Sequence, residues 1–140
     1  MENKRNEATL NRPEGDRVLD APYVFINIPD FIRQLKSEEA WQKNDRNGIT
    51  VFKSGRVTMV LTCLHAKAVM HDVLVDGIFT IQVLEGIVRV RTPDGEVDMQ
   101  ANQIMNFHQL VDHSIEAMMD SVLLFTNNSS EVPDELDHVL

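Results

Sequence analysis

Hydrophobic positions divide this chain into a short helical stretch and a longer β stretch. Tyr23 to Ile28 is an apolar run. Pro29 follows where a first helical turn tolerates a residue lacking an N–H. Phe31, Ile32 and Leu35 then fall at helical spacing. This predicts an amphipathic helix over Pro29 to Lys36, with a second turn at Ser37 to Trp41. From Ile49 onward the texture is β. Ile49–Lys53 and Arg56–Leu64 are rich in β-branched residues and separated by the turn pair Ser54-Gly55. Ile78–Leu84 is nearly all apolar and ends at Glu85-Gly86, and Ile87–Arg91 continues in the same style. Thr92-Pro93-Asp94-Gly95 reads as a tight turn, since proline presets φ and glycine accepts a positive one. Val97–Gln100, Ile104–Phe107, Ser114–Ala117 and Ser121–Thr126 complete about eight short strands. Their regular spacing predicts an all-β fold, an antiparallel β-barrel or jelly roll.

The flanks carry no apolar face. Residues 1–20 are polar, mixed in charge, and include Pro13 and Gly15, so they are expected to form a disordered arm. Residues 128–140 read as an acidic flexible tail. That leaves one folded domain over 21–127, within the size of a single unit for 140 residues.

Composition narrows the function classes. All 13 Lys and Arg lie before residue 92, and ten of the 22 Asp and Glu lie after it. A net charge of −9 with no basic stripe argues against nucleic acid, whose phosphates need neutralising cations. No stretch has the length of a membrane span or of a signal-peptide core. With the lone Cys63 unable to build a disulfide framework, a cytoplasmic protein is expected. Phosphate loops, zinc spacings and nucleophile elbows are absent.

Three stretches carry a resemblance. Trp41-Gln42 and Asp45-Arg46-Asn47 run into Ile49-Thr50-Val51. Thr80-Ile81-Gln82-Val83-Leu84-Glu85-Gly86 forms a strand-turn unit. His113-Ser114-Ile115-Glu116-Ala117 precedes Asp120-Ser121. In order and spacing, roughly over residues 38–126, the chain resembles small bacterial cupins. The resemblance implies a cupin-type double-stranded β-helix. It also implies a metal site built from two histidines and a glutamate in a first motif and a histidine in a second. That motif is degenerate here. With Gly86 as the last residue of the first motif, Phe79 stands where the glutamate belongs. The histidine pair falls on Asp72 and Leu74, or on Val73 and Val75. In the second motif His113 matches the histidine, while Asn102, His108, Leu110 and Ala117 replace the other four residues, although Asn102 can adopt the left-handed turn that glycine serves. A transition metal wants at least three converging protein ligands, so no metal or other cofactor is expected.

Alternation then defines a candidate lumen. Phe79, Ile81 and Val83 share one strand face, Met105 and Phe107 another, and His113 and Ile115 a third. The expectation is a pocket for a small molecule, mainly apolar, with His113 as its polar group. The alternative is a metal-dependent enzyme of the dioxygenase or isomerase kind, holding its ion with the atypical set His71, His108 and His113. Two further readings are a metal-free isomerase with His113 as base, which needs a buried carboxylate to orient the ring, and a structural or regulatory dimer. His65 is expected to pack at the barrel edge, His138 to lie in the tail, and Cys63 to be a small buried hydrophobe. Glu85 and Glu116 are expected to face solvent. The apolar strand Ile78–Leu84 must bury both faces, which predicts a homodimer.

Overall fold

Helix α1 (Ile28–Ser37) begins where the side chain of Asn27 accepts a hydrogen bond from the Asp30 N–H and Pro29 occupies the first turn. It ends at Glu38, whose backbone is extended, and the single turn α2 (Glu39–Lys43) follows. The computed structural model describes residues 3–9, 12–71, 77–108 and 111–129. Asp72, Val73, Leu74, Val75, Leu110 and His138, on which parts of the sequence reading fall, lie outside these residues, as do residues 130–140.

The remaining elements are strands: β1 (Lys4–Asn6), β2 (Arg17–Asp20), β3 (Arg46–Lys53), β4 (Val57–Leu64), β5 (Val69–His71), β6 (Ile78–Glu85), β7 (Ile87–Thr92), β8 (Gly95–Gln100), β9 (Ile104–Phe107), β10 (Ser114–Ala117) and β11 (Ser121–Asn128). They form a five-stranded sheet in the order β3-β4-β11-β6-β9 and a four-stranded sheet in the order β5-β10-β7-β8. All pairings are antiparallel. The two inner faces share one core, which includes Leu64, Ile81, Val83, Val88, Val90, Ile115 and Leu123. Period-two alternation sends the other residues of the larger sheet outward. Ile49, Leu61, Cys63, Val122 and Leu124 meet Leu35, Phe31 and Ile32 of α1 in a second core. Among the described residues, no helix covers the outer face of the smaller sheet. It carries Arg89, Arg91, Glu96, Asp98 and Glu116 in mutual ion pairs.

Two of the connections between the sheets pack together as corners. β6 passes into β7 through Gly86 at φ +89°, and β10 passes into β11 through residues 118–120. They lie against each other: the Met118 N–H donates to the Ile87 carbonyl at 2.9 Å, and Ser121 Oγ donates to the same carbonyl at 3.2 Å.

The N-terminal residues differ from expectation. Instead of a disordered arm, β1 pairs with β2, and Leu19 and Asp20 are buried. Two arginines explain the order. Arg12 Nε donates to both Glu38 carboxylate oxygens at 3.1 Å, and its Nη2 donates to Asn47 Oδ1 and the Gly48 carbonyl. Arg17 Nε donates to the Thr50 carbonyl at 2.6 Å. These acceptors lie 26 to 36 residues away in sequence, so local composition could not reveal them. At the other end β11 runs to Asn128, and the buried Ser129 donates its N–H to the Arg56 carbonyl, past the expected limit at 127. Strands β1, β2 and β5 were not anticipated.

Glu38 makes this junction sensitive to acid. Burial alone would raise its pKa, but hydrogen bonds from Asn47, Gln34 and Arg12 outweigh that and lower it from the ordinary 4.5. A carboxyl with a depressed folded pKa stabilises the fold above its unfolded value and loses that contribution as pH falls through the folded one. Glu38→Gln should therefore cost about 2 kcal/mol at pH 7, and clearly less at an acid pH well below the ordinary 4.5. Urea melts at the two pH values check this. An equal loss at both would show that charge plays no part.

Candidate functional site

Register places one row of side chains across the end of the barrel. Thr58 of β4 pairs with Asn127 of β11, Asn127 with Phe79 of β6, and Phe79 with Phe107 of β9. The next row inward is Val60, Phe125, Ile81 and Met105. All face the interior, because each shares parity with core residues of its own strand.

His113 stands opposite, immediately before β10, and is only 9% exposed. Its ring stacks on Phe107 with centroids 4.4 Å apart and planes 10° from parallel, and on Phe79 at 5.7 Å. Phe79 in turn stacks on Phe125 at 5.6 Å. Nδ1 of His113 lies 3.0 Å from the Val111 carbonyl. A carbonyl only accepts, so Nδ1 is the donor in this contact. A backbone oxygen therefore orients this imidazole, in the role that a buried carboxylate would have in base catalysis.

All seven lumen candidates converge. Phe79, Ile81, Val83, Met105, Phe107 and Ile115 belong to the inner core or pack against it, and His113 joins them through its ring contacts. The alternative histidine set does not converge. His71 pairs with Ser114, while their neighbours Met70 and Ile115 point inward, so His71 faces out and is exposed. His108 is also exposed. Among the described residues no group of three His, Cys, Asp or Glu side chains could hold a metal ion.

Thr58, Asn127 and Phe125 were missed as site residues. The alternation of β4 and β11 was readable, but their placement beside Phe79 follows only once β11 is known to lie between β4 and β6.

The other candidates have structural roles. His65 stacks on Trp41 at 3.4 Å, and its Nε2 donates to the Trp41 carbonyl. Glu116 is bound to Arg91, and Glu85 is exposed. Asn102 takes a left-handed conformation at φ 72° in the turn before β9. A groove of about 370 Å³ lies outside the barrel, lined by residues including Val18, Tyr23, Phe25 and Phe31. Among the described residues lining it, the cationic side chain Arg17 is already committed to the Thr50 and Gly15 carbonyls.

Cys63 is fully buried, and burial pushes its thiol up to about 11. Its thiolate is therefore scarce at neutral pH and the sulfur out of reach. Ellman's reagent at pH 8 should find no reactive thiol in the folded protein and one per chain in guanidinium. Rapid labelling of the native state would contradict this placement.

No protein-family model matches the sequence, and no curated protein matches it. Solved structures do match in fold. A cupin superfamily protein from Desulfitobacterium hafniense superposes with a TM-score of 0.63 at 13% identity, covering 80% of this chain and 95% of the other. The Cupin_2 domain of an XRE family transcriptional regulator from Enterobacter cloacae gives 0.57 at 9%, covering 63% and 100%. Salicylate 1,2-dioxygenase from Pseudoaminobacter salicylatoxidans, in adducts with gentisate, gives 0.63 at 14%, with 87% of this chain covering 35% of that enzyme. No helix among the described residues is long and apolar enough to cross a membrane.

Proposed function

Starting from a chain with the cupin fold, we propose that it binds a small, largely apolar molecule at the end of the barrel where His113 stands, without a metal. Fold alone does not decide this, since its structural neighbours include both a regulator domain and a dioxygenase. The observation that carries it is the aromatic stack of Phe107, His113, Phe79 and Phe125, a flat apolar surface with one imidazole. Phe79 supplies a ring where the resemblance calls for a carboxylate ligand.

The metal-dependent dioxygenase or isomerase reading is the weaker one, because it would need His71 and His113 on one side of the sheet. A homodimer belongs to the same proposal. Ile78 and Ile104, about half exposed on the outer face of β6 and β9, are apolar surface that a second copy would cover. Light scattering at micromolar concentration tests it, and a 15.9 kDa species alone would overturn it.

The binding reading is tested by denaturing the purified protein and analysing the released small molecules by mass spectrometry. A stoichiometric compound, lost in Phe79→Ala, is expected, with melting unchanged by EDTA. An empty extract, together with no thermal shift from any of a panel of aromatic compounds, would refute binding.

A further inference from the structure

Among the described residues, two enclosed side-chain polar atoms have no hydrogen-bond partner: Thr58 Oγ1 and Asn127 Oδ1. Buried polar groups are nearly always paired, so each exception calls for an explanation. These two are not scattered. Thr58 and Asn127 are direct cross-strand partners on the inner face, and Asn127 is in turn the partner of Phe79. They are neighbours, yet they do not bond to each other.

We infer that Thr58 and Asn127 form a polar subsite that takes a ligand group able to donate and accept at once, a hydroxyl or an amine. The inference rests on the barrel-binding reading above and narrows its ligand class. Side chains of direct partners stand about 5 Å apart at Cβ, and because both polar atoms are closed to water, a bridging atom enters only as neighbouring side chains move aside. The chemistry of the pair sets what that atom must do. The amide oxygen only accepts, and the hydroxyl can donate. A single ligand hydroxyl donates to Asn127 Oδ1 and accepts from Thr58 Oγ1, satisfying both. A carboxylate serves Thr58 alone and sets its lone pairs against those of Asn127. A methyl group serves neither. The same row continues into Phe79 and Phe107, the latter stacked on His113, so the rest of the ligand is flat and apolar. Phenols and aromatic or alicyclic alcohols and amines of one-ring size fit this description. The partly buried Met105 beside Ile81 is an adaptable side chain that can yield room for the ring.

The experiment titrates phenol, toluene and benzoate into the intact protein and into Thr58→Val and Asn127→Leu, with affinity and melting temperature as readouts. Wild type should bind phenol about tenfold or more tightly than toluene or benzoate, the discrimination expected when unpaired polar groups find a partner. Both variants should melt at or above wild type, having lost an unsatisfied atom, and should bind phenol no better than toluene. Equal binding of phenol and toluene by wild type, or a preference for benzoate, overturns the subsite and leaves barrel binding standing. Failure of all three probes to bind overturns both readings. Variants that melt well below wild type but keep the phenol preference overturn the subsite too, since the two atoms would then serve stability alone. Should a variant fail to fold, the wild-type panel still decides.

Discussion

Replacing Gly86 by alanine should lower the melting temperature by about 10 °C, a loss of about 3 kcal/mol for a domain of this size. Two effects combine. Gly86 has φ +89°, a conformation costing a side-chain-bearing residue about 1–3 kcal/mol. A Cβ there would also stand 2.5 Å from the Asp120 carbonyl oxygen and 2.8 Å from the Ser121 Cα, both backbone atoms that cannot swing away. Relieving that overlap means parting the β6–β7 and β10–β11 corners, at a cost of the order of the 1–3 kcal/mol seen for overpacking. Gly95 is the control. Its φ is +137°, but a Cβ there meets nothing within 4 Å, so Gly95→Ala should show only the backbone term. Thermal melts of the two variants decide the matter. If they fall equally, the corner contact has no role.

Leu35→Ala should cost about 3 kcal/mol, within the range of buried leucine truncations. Leu35 is fully buried between α1 and the outer face of the larger sheet, in one cluster with Ile49, Leu61 and Cys63. Its backbone matters as well, because Asn47 Nδ2 donates to the Leu35 carbonyl at 2.9 Å and ties α1 to β3. The truncation loosens this seal above Cys63, so Ellman's reagent should label the native variant faster than wild type. Arg33→Ala, on the exposed side of the helix, should change stability by less than about 0.5 kcal/mol. A Leu35→Ala protein as stable as wild type would mean that the helix is a dispensable cover.

Local signals made much of this fold legible. The helix was readable because Pro29, Phe31, Ile32 and Leu35 encode a start and an apolar stripe. Every strand of the two larger sheets except β5 was readable, because alternation and turn residues lie within a few positions of each other. Phe79, Ile81 and Val83 could be assigned one face for the same reason. What stayed hidden depends on contacts between distant parts of the chain. β5 is three residues long and held by β10, some 45 positions later. The placement of residues 3–9 and 12–20 depends on arginine acceptors supplied by Glu38, Asn47 and Thr50. His71 and His113 look like companions in sequence, and only the register of β5 on β10 sends them to opposite faces. The Thr58–Asn127 pair was invisible for a related reason: no pattern within either strand names its neighbour.

The strand order has a consequence for how the molecule is made. β11 occupies the centre of the five-stranded sheet, flanked by β4 and β6. Both flanking strands emerge from the ribosome first and must wait, each with one edge of backbone N–H and C=O groups unpaired. The β3–β4 hairpin can form early, as can the local pair β7–β8. The barrel itself closes only when residues 121–128 arrive, because the inner core needs Leu123 and Phe125 and the outer one needs Val122 and Leu124. During that interval the nascent chain offers sticky edges of the kind that recruit chaperones or other unfinished chains. Synthesis that stalls before β11 would leave an aggregation-prone half-sheet instead of a smaller folded domain.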